Sequence, residues 1–220
     1  MKTNNHLAWN IHDLFIAFIA LIPVILAAVF YKDLPNSVAI HFGVSGEPDN
    51  YTSKSSFIIV FFLMNLGIPL LMKFSKFMDP RKQNYEKFGK AYLMIRYLIA
   101  LIIAAIGVVT LLFNLGYDVN IQMMVLLGIG ILFIGIGNYM VQLRSNFFVG
   151  IRTPWTLTND VNWRKTHRLA GPLWMGAGVI LLICAFLPGK IAMFITITVV
   201  VIIALIPMIY SYILLKNGNP

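Results

Sequence analysis

The chain has 220 residues, of which 59% are hydrophobic and only 11% are charged. A typical soluble domain is about 45–50% apolar and about 25% charged, so this composition argues against a soluble enzyme. The net charge of +9 by itself would suggest a nucleic-acid-binding protein. The mean hydropathy of +0.82 excludes that class, and we expect no direct nucleic acid binding.

Six charge-free apolar runs dominate the sequence. A helix needs about 20 mostly apolar residues to cross the roughly 30 Å hydrocarbon core of a bilayer. The runs lie at 14–31, 55–72, 97–117, 119–143, 169–189 and 191–215. None alternates with the two-residue period of a membrane strand, and backbone groups in lipid must be hydrogen-bonded internally. The sequence therefore predicts an all-α integral membrane protein with six transmembrane helices.

The interiors of these runs carry no ionisable residue, which weakens the prediction of an ion-coupled transporter. The second run is the shortest, and we expect its helix to continue with Lys73 and Lys76 reaching the lipid headgroups. A small-molecule or lipid transporter stays open as an alternative function. It would need a polar path past Asn65, Asn114 and Asn138.

The basic residues are concentrated in a few places between the runs. Of the 17 lysines and arginines, all but Lys32, Lys54 and Lys190 lie near the termini or in the second-to-third and fourth-to-fifth connections. Positive residues in short loops stay on the cytoplasmic side of a membrane. Both termini, including Lys2, and the loop 144–168 are therefore predicted to be cytoplasmic. The first-to-second loop, 32–54, is predicted to be extracytoplasmic.

The sequence contains few residue patterns that are typical of a catalytic site. It has a single cysteine inside the fifth run, and His6, His12, His41 and His167 lack metal-ligand spacing. We therefore expect no cofactor, no metal site and no catalytic residue. A membrane enzyme that uses Arg152 and His167 at the cytoplasmic interface stays open as a further alternative.

Glycines on the fourth run predict a close helix contact, because small residues let membrane helices approach each other. They form two heptad pairs, Gly128 with Gly135 and Gly130 with Gly137. The fifth run is the expected partner helix. Its glycines are Gly171, Gly176 and Gly178.

The loop 32–54 is not a generic linker. Val38, Ile40 and Phe42 alternate with small or polar neighbours, which predicts a short extended segment. The stretch 46–50 has turn chemistry. We predict a structured lid in which His41 and Phe42 contact a ligand. The alternative is a packed loop in which His41 only caps neighbouring backbone.

The loop 144–168 is equally distinctive. Polar residues at 158–160 can cap a short helix on which Trp163 and His167 stand one turn apart. One interpretation is an interfacial anchor, in which tryptophans and basic side chains contact anionic lipid headgroups. The other is a cytoplasmic docking surface, with Arg152 held beside the turn that follows it.

Both loops resemble sequences of a known family. The segment 146–171 resembles the signature of the SdpI family, bacterial immunity proteins named for protection against the sporulation-delaying peptide toxin. The loop 32–54 is similar to a membrane module that often precedes this signature. The resemblance implies a six-helix, non-enzymatic protein of the bacterial cytoplasmic membrane. It divides the chain into a two-helix module, 1–80, and a four-helix SdpI-like region, 81–220.

The resemblance also implies a function. A family member protects its cell against an extracellular peptide toxin and, as a receptor, draws a transcriptional repressor to the membrane. Toxin contact would fall to Leu34, Pro35, His41, Phe42, Gly46, Pro48, Asp49 and Tyr51. Cytoplasmic docking would fall to Asn146, Phe148, Gly150, Arg152, Thr153, Pro154, Trp155, Thr156, Trp163 and His167, or to the basic connection 73–96. The expected partners are the toxin, a repressor and membrane lipids.

Overall fold

The computed structural model describes residues 9–218, so Lys2 and His6 of the sequence arguments lie outside the described residues. In chain order the helices and strands are α1 (Ile11–Val29), β1 (Ser37–Phe42), β2 (Pro48–Ser53), α2 (Lys54–Met78), α3 (Tyr85–Asn114), α4 (Ile121–Met140), α5 (Pro154–Thr158), α6 (Asp160–Cys184) and α7 (Gly189–Lys216). Within the described residues, six helices are long and apolar enough to cross a membrane, namely all but α5. The predicted all-α, six-span architecture is confirmed.

Short polar side chains begin most of the long helices, because they accept hydrogen bonds from the free backbone N–H groups of the first turn. Asn10 and Asp13 form a reciprocal capping box on α1. Ser53 caps α2 and Asn120 caps α4. Asn159 caps α6, as predicted for the 158–160 segment, but the helix it begins has 25 residues and is not short.

The helices pack as two groups that share α3. The first group is α1, α2 and α3, each packed against the other two. In the second group α4 packs on α6 and α6 packs on α7, while α3 also packs on α4. The division of the chain at residue 80 stays a prediction. In the structure α3, from the second half of the chain, completes the helix group of the first half.

Small residues bring α4 and α6 into backbone contact. A Cβ atom on Gly137 would lie 2.7 Å from the Gly171 carbonyl oxygen, and one on Gly178 would lie 2.5 Å from the Gly130 carbonyl oxygen. The predicted glycine contact is therefore confirmed for these four residues. The other pair, Gly128 with Gly135, faces α3 side chains instead, and Gly176 has no neighbour within 4 Å.

Three ionisable side chains that directly flank the apolar runs lie inside the bundle. Asp13, Lys73 and Arg96 come from α1, α2 and α3, and each is at most 5% exposed. Arg96 Nη2 donates to Asp13 Oδ1 at 2.8 Å, and Lys73 Nζ lies 3.2 Å from Asp13 Oδ2 and 3.8 Å from the centre of the Trp9 ring. The prediction that Lys73 reaches the headgroups is wrong, because α2 continues to Met78 and turns this side chain towards Asp13.

Candidate functional site

A β-hairpin covers one end of the bundle, which we call the hairpin end. Strands β1 and β2 are antiparallel, with Ser37 opposite Ser53 and Phe42 opposite Pro48. The predicted extended segment is therefore confirmed. Gly46 in the connecting turn has φ of +83°, a conformation that favours glycine because it has no Cβ atom.

The hairpin is fixed to the helices by apolar packing and by one carboxamide. Leu34 and Val38 are buried in a cluster that includes Phe57 of α2. Asn114 of α3 bonds both backbone groups of Ala39: its Oδ1 accepts from the amide nitrogen at 2.7 Å and its Nδ2 donates to the carbonyl oxygen at 3.0 Å. The side chains on the hairpin are thus held in a defined position.

The predicted toxin-contact residues separate into distinct environments. Leu34 belongs to the core, whereas Pro35 and Tyr51 are exposed. The Phe42 ring packs edge-on against Phe113, with centroids 4.9 Å apart. His41 and, on the opposite strand, Asp49 are exposed as well, with 68% and 52% of their side chains accessible.

Four predicted residues line one cleft at the hairpin end. His41, Phe42, Gly46 and Asp49 face a cavity of about 450 Å³ between the hairpin and helices α4 and α7. His41 Nδ1 lies 2.5 Å from Asp49 Oδ1. The helix walls are mainly apolar, but Thr196 also lines the cleft, and its buried hydroxyl has no partner among the described residues. The cleft is therefore amphipathic.

The opposite end carries the segment 141–159 and is called the loop end. Asp79, just after α2, is buried and organises this end with its carboxylate. The carboxylate accepts from the Arg81 amide at 2.7 Å, the Phe147 amide at 2.8 Å and the Tyr85 hydroxyl at 3.1 Å. Asp79 was not among the predicted site residues; the Asp-Pro pair at 79–80 signals a turn but not the distant contact with Phe147.

Asn146 shapes the loop through its carboxamide. Its Oδ1 accepts from the backbone N–H groups of Phe148 at 2.9 Å and Val149 at 2.7 Å. Its Nδ2 donates to the carbonyl oxygens of Arg144 at 2.8 Å and Val149 at 2.9 Å. Asn146 is fully buried, so its role in this structure is to hold the backbone of the loop.

His167 joins the loop to α6. Its ring stacks on Trp163 with centroids 4.1 Å apart, Nδ1 donates to the Trp163 carbonyl oxygen at 2.8 Å, and Nε2 accepts from the Ile151 amide at 3.0 Å. A neutral ring with its proton on Nδ1 satisfies both bonds. Gly150, with φ of +109°, permits this approach, because a Cβ atom there would lie 2.5 Å from Nε2.

The turn that follows Arg152 is a helix cap. Thr153 and Thr156 form a reciprocal capping box at the start of α5, with Pro154 in the first helical turn. The indole of Trp155 donates a hydrogen bond to the Ser211 hydroxyl on α7. The loop is therefore tied to α7 as well as to α6.

The predicted docking residues are divided between the interior and the surface. The buried ones are Asn146, Thr153, Thr156, Trp163 and His167. Gly150 and Trp155 are half-buried, and the exposed ones are Phe148, Arg152 and Pro154. The interpretation of Trp163 as an interfacial anchor is wrong, because its ring lies in the core and its Nε1 donates to a backbone carbonyl at 3.0 Å.

The residues proposed for a membrane enzyme have separate roles in the structure. Arg152 Nη1 donates to the Phe147 carbonyl oxygen at 2.6 Å, whereas both ring nitrogens of His167 bond to backbone. The two side chains therefore do not form a catalytic pair. Within residues 9–218, no group of three or more histidine, cysteine or acidic residues is placed to hold a metal ion.

The asparagines proposed for a transport path also lie apart. Asn65 is buried on α2 and donates to the Phe61 carbonyl oxygen at 2.9 Å. Asn114 holds the hairpin, and Asn138 is exposed on α4. This arrangement gives no support to a polar path through the bundle.

Two known protein families match segments that include the two ends of the bundle. Residues 142–211, which include the loop end, match the SdpI/YfhL protein family, and residues 18–66, which include the hairpin, match a domain of unknown function (DUF1648). Over 194 residues the chain is 30% identical to "Immunity protein SdpI" of Bacillus subtilis (strain 168), covering 87% of this chain and 89% of that protein. No solved structure matches the chain significantly.

Proposed function

Because the chain belongs to the SdpI family and is a multi-pass bacterial membrane protein, we propose that it is an immunity protein that protects its own cell against an extracellular peptide toxin. The similarity to a relative named as an immunity protein extends over 87% of the chain and supports this role. That family is not an enzyme class. We propose that this chain, too, acts by binding and not by catalysis.

The proposed orientation places the hairpin end outside the cell and the loop end in the cytoplasm. Positive side chains in short loops favour the cytoplasmic side. The exposed basic residues of the loop end are Lys82, Lys87, Lys90, Arg152, Arg164, Lys165, Arg168 and Lys216. The hairpin end carries Lys32, Lys54 and Lys190. A toxin that arrives from outside would therefore first meet the hairpin.

The cleft at the hairpin end is the observation that carries this proposal. Binding sites combine apolar walls with a few well-placed polar groups. Here the apolar walls come from α4 and α7, and the polar groups include His41, Asp49 and the Thr196 hydroxyl. Such a cleft suits an amphipathic peptide that inserts apolar side chains and leaves polar ones at the mouth. Because Asn114 fixes the hairpin, little ordering entropy is lost on binding.

The test is expression in a sensitive strain that lacks its own immunity protein and is exposed to the sporulation-delaying peptide. The chain should preserve the membrane potential, measured with a voltage-sensitive dye. His41→Ala and Asp49→Ala should weaken protection at equal protein abundance. The matched control is Glu47→Ala, which removes an exposed carboxylate of the same hairpin outside the cleft. Loss of potential with the unchanged chain would refute immunity, and full protection by both cleft variants would refute the cleft.

We further propose that the loop end docks a cytoplasmic partner, for which a transcriptional repressor is the candidate. Phe147 and Phe148 are each 39% exposed and lie near Arg152 in an otherwise well-bonded loop. Aromatic residues and arginine are enriched at interaction hot spots. Phe148→Ala should abolish recruitment of a fluorescent repressor fusion to the membrane, whereas Thr158→Ala, an exposed change in the same loop, should not. Equal recruitment by both variants would contradict this surface.

A further inference from the structure

An apolar groove runs along the outside of the bundle near the loop end. Helix α2 packs on α1 and α3, while α4 packs on α3 and α6. Helix α3 is therefore the floor of the groove, with α2 as one wall and α4 with α6 as the other. The groove has a volume of about 670 Å³ and is lined by Leu71, Ile99, Ile136 and Trp174, one from each helix. The segment 148–151 closes it at the loop end.

The lining of the groove is almost entirely hydrocarbon. The hydroxyls of Ser75 and Tyr92, which also line it, lie 2.9 Å apart and both donate to the Met72 carbonyl oxygen. They are therefore already bonded within the protein. Trp174 contributes an indole whose Nε1 has no acceptor among the described residues. A hydrophilic ligand would gain few hydrogen bonds here, so the groove suits an apolar chain.

We propose that this groove binds an acyl chain of a membrane phospholipid, with the phosphate at the loop end. The groove lies on membrane-spanning helices, so it opens to the lipid hydrocarbon and not to water. Its rim is open on the α2 side, where Leu71 is 70% and Met78 is 73% exposed. Its volume falls within the range of about 300–1,000 Å³ that is usual for small-molecule sites.

Basic residues adjacent in sequence to groove residues favour an anionic headgroup. Lys76 is half-buried on α2, one turn beyond the groove residue Met72. Arg152 is exposed and directly follows the groove residue Ile151. These cations would attract a phosphodiester at the loop end. An anionic phospholipid is therefore favoured over a zwitterionic one.

The lipid site is separate from the proposed toxin cleft. The groove is closed by the loop-end segment 148–151, whereas the cleft is lined by hairpin residues such as His41. Failure of toxin protection leaves the lipid measurement unaffected, and the reverse also holds. The two proposals can thus be rejected independently.

Native mass spectrometry of the full chain, solubilised in detergent and incubated with phosphatidylglycerol or phosphatidylcholine, tests the proposal. We expect one retained phosphatidylglycerol per chain and weaker retention of phosphatidylcholine. Ile136→Trp fills the groove and should lower retention by about tenfold. The matched control is Ile131→Trp, on the same helix, 48% exposed and outside the groove lining, which should retain lipid normally.

A second pair of variants keeps the test decisive if Ile136→Trp does not fold. Leu71→Trp, at the open rim, should lower retention, and Leu63→Trp, an exposed change on the same helix outside the groove, should not. Lys76→Gln should reduce the preference for phosphatidylglycerol. The proposal is overturned if the unchanged chain retains no lipid, if groove and control variants retain it equally, or if the retained mass is that of a peptide.

Discussion

The Asp13 carboxylate faces two buried cations, Lys73 and Arg96. Burial of a charge is costly unless an opposite charge and hydrogen bonds compensate for it, and loss of one partner leaves the others uncompensated. The three side chains come from the three helices of the first group, so they hold that group together at the loop end. They also show that a basic residue beside an apolar run does not always point to the lipid surface.

Asp13→Asn should therefore destabilise the protein by about 3–5 kcal/mol, because it leaves two buried cations without a counter-charge. The free energy of unfolding can be measured in detergent by titration with dodecyl sulfate. The matched control is Asp118→Asn, which makes the same chemical change at an exposed site. Equal stability of the two variants would show that the buried carboxylate does not hold these helices together.

Gly150 is the second residue whose replacement has a defined consequence. An alanine there would be strained by its φ of +109°, and its Cβ atom would displace His167 from the Ile151 amide. Gly116, with φ of +86° and no neighbour within 4 Å, provides the control for backbone strain alone. Gly116→Ala should cost about 1–2 kcal/mol. Gly150→Ala should cost about 0.5–1.5 kcal/mol more for the lost hydrogen bond, measured by thermal unfolding in detergent.

The contact between α4 and α6 depends on glycines, which have no side chain. Gly178→Ala would place a Cβ atom 2.5 Å from the Gly130 carbonyl oxygen, so the helices would have to separate. We expect a cost of about 1–3 kcal/mol. Gly176→Ala, in the same helix but with no neighbour within 4 Å, should instead stabilise the protein by about 0.5–1 kcal/mol. Dodecyl sulfate titration distinguishes these opposite signs, and a shared sign would contradict the glycine contact.

Some features of the helices and strands could be predicted from the sequence. Apolar length predicted six helices, and alternation predicted β1, because both patterns reflect local geometry. The helix ends were harder to predict. Helix α3 begins at Tyr85 and not near residue 97. One face of its first turns packs in the core through Phe88 and Tyr92, while Lys87 and Lys90 on the other face are exposed. Hydropathy alone assigns helical turns with such charged residues to a loop.

The residues of the two candidate sites could also be predicted only in part. The sequence singled out His41 and Asp49, and the structure brings them to one cleft, because hairpin pairing is a short-range property. The sequence did not distinguish exposed from buried residues in the segment 144–168. The sequence suggests that the polar atoms of Trp163 and His167 are available to a partner. Contacts with distant segments bury both side chains instead. Burial depends on which distant segments meet, and periodicity carries no such information.

The orientation of the protein in the membrane decides which end meets a toxin. The single cysteine, Cys184, is buried, so a Cys184→Ala background allows one new thiol to be placed at either end. Ser45→Cys, exposed in the hairpin turn, should react with a membrane-impermeant maleimide in intact cells. Thr158→Cys, exposed at the loop end, should react only after permeabilisation. The opposite pattern would place the cleft in the cytoplasm, where an extracellular peptide cannot reach it, and would thereby also reject the proposed mode of toxin capture.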